Sequence, residues 1–297
     1  SVATGLDFTF NSVVVGKGAN SVAGNTVLGQ SALDAAVTGD NNTAIGKFAL
    51  TANTSGFSNT AVGESALADN TTGTLNTGIG RDALNFNTSG QKNTAVGERS
   101  LQKNTTANNN TAIGFAALAE NTTGTGNTSV GEGSLDSTTT GSYNAALGNG
   151  ALGSNTTGNT NCAVGYQALF ANTTGINNVA VGMQSFDGST TASNCTAVGQ
   201  GALGGSNTGD FNVAVGTASL PANTSGTNNT ALGTYALYTN STASNNTAVG
   251  KSALQLNTTG AGNVAIGTNA LDANTTADNN VAVGHNSLTT NTTGAGN

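Results

Sequence analysis

Asn161-Cys162-Ala163-Val164-Gly165-Tyr166-Gln167-Ala168-Leu169-Phe170-Ala171-Asn172-Thr173-Thr174-Gly175-Ile176-Asn177 is a unit of seventeen residues, and most of the chain repeats it. Its first glycine recurs from Gly29, Gly46 and Gly63 through to Gly284, sixteen glycines spaced by seventeen without a slip. A fixed period of this length marks a solenoid, in which each repeat packs on its neighbours. We number the positions of the unit one to seventeen, with that glycine at five. Position one is Asn throughout except at Cys195; two is mostly Thr, three mostly Ala, and four always Val, Ile or Leu. Position eight is Ala or Ser, nine is Leu except at Phe186, and twelve to fifteen read Asn-Thr-Thr-Gly or a close variant. The remaining positions hold nearly all the charges and aromatics.

This pattern predicts two short strands per coil, Thr-Ala-Val and Ala-Leu, parted by a bend at the glycine, where a Cβ would be penalised. Small residues at three and eight suit a narrow interior. The Asn columns at one and twelve should stack, each side chain bonding its neighbour and the local backbone, with Asn and Gly supplying turn chemistry. Neighbours in a strand point to opposite faces, so Ala61 and Val62 cannot share one core. If the Ala rows fill the inside, the large aliphatics form an outer stripe, about 77 Å long over sixteen coils at about 4.8 Å per coil. A stripe of that size needs cover. It makes Val62, Leu67, Val96, Leu101, Val164, Leu169, Val249 and Leu254 an expected oligomer interface. The reverse assignment, large rows inside and Ala outside, would permit a single chain.

Composition narrows the class. Only 36% of residues are hydrophobic, filled by Ala and Val, and Trp is absent, too little for the thick core of a globule of 297 residues. Charge is also scarce, at 7%, which argues against disorder. The net charge of −7 is dispersed and offers no basic stripe for nucleic acid. No run approaches the roughly 18 apolar residues of a membrane helix, and no signal-peptide pattern opens at Ser1. Cys162 and Cys195 lie two coils apart, about 9.6 Å, beyond the roughly 7 Å that a disulfide spans.

Residues 1–24 are read as a cap strand and a short first coil, followed by a continuous solenoid over 25–297. Leu6-Asp7-Phe8-Thr9-Phe10 alternates as a half-buried strand does. Its phenylalanines are expected to cover the first coil, with docking to a preceding virion or fibre protein as the alternative. Ser12-Val13-Val14-Val15-Gly16-Lys17-Gly18-Ala19 recurs thirteen residues later as Asn25-Thr26-Val27-Leu28-Gly29-Gln30-Ser31-Ala32, which predicts a shortened coil. Asn297 would open another unit, so the chain is expected to continue.

The Asn-Thr-Ala-Val-Gly-x-x-Ala-Leu cassette, and most closely Ser12–Ala32, resembles the head repeats of trimeric autotransporter adhesins. It is also similar to longer Asn-Thr-Thr-Gly arrays in bacteriophage tail fibres. The resemblance covers roughly residues 11–297. It implies a homotrimer of left-handed parallel β-rolls, extracellular, with two further copies of the chain as partners. The unit is longer than the usual adhesin-head repeat, and residues 1–297 contain neither a coiled-coil stalk nor an anchor barrel.

Little points to chemistry. His285, the only histidine, sits at variable position six. Glu64, Asp69 and Asp82, and likewise Glu120, Glu132 and Asp136, fall on nearby coils; a carboxylate pair can hydrolyse glycans, but no aromatic sugar platform accompanies them. The calcium nonapeptide and His/Cys metal spacings are missing. Gly250-Lys251-Ser252 ends like a phosphate loop, but Asn245 stands where its first glycine belongs. The Asn-Thr-Thr turns match the glycosylation acceptor pattern and are explained as repeat chemistry. The reading is therefore a structural attachment fibre, not an enzyme and without cofactor, presenting a region that recognises a host-surface glycan or protein. Phe115, Tyr166, Phe170, Tyr235 and Tyr238 are candidates for weak surface contacts. Alternatives are a self-assembling extracellular filament and an ice-binding face of Thr columns. Against the latter, Thr71 and Thr72 are adjacent, and position two is interrupted by Ala145, Cys162, Val179, Val213, Val264 and Val281.

Overall fold

The computed structural model describes residues 7–297 and is a parallel β-solenoid with seventeen-residue coils, as the repeat predicts. It divides into two units, residues 1–145 and 146–297. In the first, strand β3 (Thr26–Gly29) pairs in parallel with β4 (Thr43–Ile45), and the pairing continues in register to Thr128–Val130. In the second, the same ladder runs from Cys162–Val164 to Val281–Val283.

From β4 onward each strand is three residues long because only Thr-Ala-Val, or its variant, keeps the extended alternation. In Thr60–Val62 the middle Ala61 is fully buried while Thr60 and Val62 are half-buried on the outer face. At Gly63 the backbone reaches φ 136°, and a Cβ there would come within 2.5 Å of the Gly80 carbonyl oxygen in the next coil. Both the angle and the contact require glycine.

Beyond the bend the coil is not a second strand. Position nine is left-handed, with φ 52° at Leu67 and 52° at Leu169, and position seven is left-handed too, as at Ser65. This breaks the alternation expected of Ala-Leu and turns both neighbours inward: Ala66 and Leu67 are each fully buried. The assignment of the leucine row to an outer stripe is thereby corrected. Leu67, Leu101, Leu169 and Leu254 are fully buried within their own chain. Of the two aliphatic rows, only position four, including Val62, Val96, Val164 and Val249, faces outward.

The irregular part of the coil still bonds its neighbours. Leu67 N–H donates to Ala83 O (2.9 Å), Asp69 to Asn85 O (2.9 Å), and Leu75 back to Phe57 O (3.1 Å). Two buried asparagine ladders seal the wall. Asn59 Oδ1 accepts from Asn76 N–H (3.0 Å) while its Nδ2 donates to Gly73 O (2.9 Å). Asn70 Nδ2 donates to Asn53 Oδ1 (2.9 Å) and to Gly73 O (3.1 Å). At Cys195 the first ladder continues on the backbone side, Cys195 N–H donating to Asn178 Oδ1 (3.0 Å). Both cysteines are free.

The chain reverses at its start. β1 (Phe8–Phe10) runs antiparallel to β2 (Val13–Gly16), which runs antiparallel to β3. The expected short first coil is therefore an antiparallel meander. Its likeness to the cassette is one of sequence, and strand direction is not encoded in that. Phe8 and Phe10 are 54% and 65% exposed, so their rings do not cover the coil as expected. Leu6 of that segment lies outside the described residues.

Candidate functional site: the outer face of the strands

Because each strand of the parallel ladder is Thr-Ala-Val or a variant, the outer face carries two columns, positions two and four. In the first unit, position two is Thr26, Thr43, Thr60, Thr77, Thr94, Thr111 and Thr128, paired strand to strand without interruption. Beside it run Leu28, Ile45, Val62, Ile79, Val96, Ile113 and Val130. In the second unit, valine replaces threonine at Val179, Val213, Val264 and Val281. That face is apolar over much of its area, with Val179 and Val281 exposed alongside Val215 and Ile266. Sequence reasoning identified position four and missed position two as its companion. The signal was there: substitutions from Thr to Val preserve a branched β-carbon on a surface position.

The aromatic candidates do not converge. Phe115 lies in the first unit and the other four in the second, all exposed. Tyr235 and Tyr238 meet edge to face, ring centroids 5.4 Å apart and planes at 86°. This is a favourable geometry that occupies both rings with each other. Phe170 lies over the preceding coil, where a Cβ on Gly153 would come within 2.9 Å of its ring. Its role is at least partly to cover that glycine. A surface depression of about 340 Å³ is lined by Phe86, Lys103, Thr105 and Thr122.

One residue of each acidic grouping, Asp82 and Glu120, has a basic neighbour. Arg81 pairs with Glu98 and approaches Asp82 at 3.9 Å, and Lys103 meets Glu120 at 2.6 Å. The hydrogen bond to Glu98 raises the Arg81 pKa. Burial, and then the charge of Glu120, push the Asp136 carboxyl above its ordinary range. Burial also pushes the Cys195 thiol up to about 11, so that it stays protonated at neutral pH. Among the described residues no group of three or more His, Cys, Asp or Glu side chains is placed to hold a metal ion. No helix among them is long and apolar enough to cross a membrane.

Fold and face together define the class: an all-β parallel solenoid of seventeen-residue coils with a regular two-column outer surface. Comparison with known proteins brings no match to a family model and none to a curated protein.

Proposed function

We propose that the chain is a structural segment of an extracellular attachment fibre, built from three copies and presenting a host-recognition region. The observation that carries the reading is the outward column at position four, Val, Ile or Leu in every coil of both units. A surface that repeats once per coil is matched residue for residue by a partner with the same rise, and a second copy of the chain has that rise by construction. A non-catalytic use fits carboxylates that do not converge with a histidine or with a metal-holding group among the described residues. The likeness of the cassette to adhesin heads and tail fibres supports three copies and a surface-attachment role. Light scattering at low concentration tests it: a three-chain mass is expected, and a stable single-chain mass would overturn the reading. Particle length that grows with concentration would favour an end-to-end filament instead.

One observation favours a second reading, ice binding, and it is confined to the first unit. There the position-two threonines form an uninterrupted column. The threonines at position thirteen contribute nothing to such a face, since Thr71 Oγ1 donates to Thr88 O (3.0 Å) and Thr88 Oγ1 to Thr105 O (3.0 Å) within the wall. Thermal hysteresis distinguishes the readings, because an ice binder must produce it.

A further inference from the structure

The two units differ in a way that seventeen-residue periodicity does not demand. Residues 1–145 carry sixteen charged side chains and residues 146–297 carry five: Asp187, Asp210, Lys251, Asp272 and Asp278. The difference is concentrated on the turns that border the strand face, positions six, seven, sixteen and seventeen. In the first unit, position six alone presents Lys47, Glu64, Arg81 and Glu98 in succession. In the second, the same four columns contain only Asp210, Lys251 and Asp278 over the coils from Asn161 onward. Five in 152 residues is less than a third of the first unit's density of sixteen in 145. The same unit is the one in which Val179, Val213, Val264 and Val281 replace the wetter threonines of position two.

Loss of charge beside the face and gain of apolar side chains on it thus coincide in one unit; the buried centre of an interface is depleted in charge and enriched in apolar area, so such a centre fits this face together with its bordering turns. We infer that copies of this chain are held together through the strand face of residues 161–283, while the charged first unit contributes little to association. The inference rests on the oligomeric reading above and assigns it a place. The occupant is a second copy of the chain rather than a different protein. Two like faces with almost no charge meet without repulsion, and the coil repeat keeps each valine opposite an equivalent position along the whole contact.

The test compares matched substitutions in the full chain. Val213→Lys with Val264→Lys charges position two in the second unit; Thr60→Lys with Thr94→Lys does the same in the first. All four positions are half-buried on the outer face, where a lysine stem can lie and its ammonium reach water. Light scattering over a dilution series, with circular dichroism to confirm the coil, reads the outcome. The expected result is single-chain mass for the Val213/Val264 variant and unchanged mass for the Thr60/Thr94 variant. If the Val213/Val264 lysine variant fails to fold, Val213→Thr with Val264→Thr copies the first unit's column and should raise the dissociation midpoint at least tenfold. An unaffected midpoint there, dissociation by the Thr60/Thr94 variant, or dissociation by both lysine variants would overturn the assignment while leaving the oligomer intact as a reading. A single-chain mass for the unsubstituted protein would remove the oligomeric reading itself.

Discussion

Leucine at position nine is the residue on which the coil turns. A left-handed conformation costs an ordinary residue about 1–2 kcal/mol, and burying a leucine side chain returns about 1.5–3 kcal/mol. Burial therefore outweighs strain only if the side chain is enclosed, and it is: Leu169 is fully buried. Asparagine or glycine would adopt the angle at lower strain but leave the interior empty. Leu169→Ala should accordingly cost about 2–5 kcal/mol, and Leu169→Asp more, because a carboxylate would be left without a partner in the wall. Val164→Asp, five residues earlier and on the outer face, should leave the coil folded and weaken association instead. Thermal melts and particle mass on the pair check this; a folded Leu169→Asp chain would refute the inward assignment. Charge obeys the same logic at Asp136. Its carboxyl is raised mainly by burial, so the ionised form destabilises the fold, and this penalty is relieved as pH falls through the raised folded pKa. Asp136→Asn should thus raise the melting temperature at pH 7, with the gain shrinking towards pH 3. A gain that persists or grows at low pH would refute the cause.

At the scale of the coil, stability depends on ladders that tolerate few substitutions. Position twelve is Asn in most units, but Ser189 breaks the column in the second. The consequence is visible in two buried atoms: Asn172 Oδ1 and Ser189 Oγ have no hydrogen-bond partner. Ser189→Asn supplies a donor of the kind that Asn172 Nδ2 offers to Asn155 Oδ1 (2.9 Å) one coil earlier. It should stabilise by about 1 kcal/mol, measured as a shift in the denaturant midpoint without a change in slope; a lower midpoint would mean that the site cannot admit the larger amide. The ladders themselves were readable in the sequence, because an Asn column has few other physical explanations. So were the three-residue strand and the glycine bend. The Ala-Leu segment was misread because period-two alternation was assumed to continue, and a left-handed leucine leaves no mark of its own in composition. Position seventeen, also left-handed, does leave one: it holds Asn41, Asn109, Asn177, Asn194, Asn228, Asn245 and Asn279, the residue type that most readily accepts the angle after glycine. At β2 the cassette sequence was present and its strand ran the other way, since pairing direction depends on the connection and not on the paired residues. The candidate interface was half legible. Position four was seen, whereas position two was set aside as an interrupted threonine column, although four of its six interruptions are the valines that make the second unit's face apolar.

For the chain as a whole, the decisive property is that contacts link each coil chiefly to the coils before and after it. Stability is then a sum of coil terms and nearest-neighbour terms, so damage should stay local. Gly97→Ala provides the probe. Gly97 has φ 128°, and an added Cβ would lie 2.5 Å from the Gly114 carbonyl oxygen. A left-handed-side angle costs a non-glycine residue about 1–3 kcal/mol, and the contact forces the two coils apart in addition. In a globule with one core, a penalty of that size would be shared by every residue. Here, amide hydrogen exchange should accelerate at Thr94–Val96 and Thr111–Ile113 and in the turns beside them, while strands such as Thr247–Val249 and Val264–Ile266 keep their protection. Equal acceleration everywhere would show that the coils unfold as a single cooperative unit, and the additive description would fail. Locality also explains how the sequence can alter rim charge and face polarity in residues 146–297 without disturbing the fold: inner columns hold the coil, so outer columns are free to diverge.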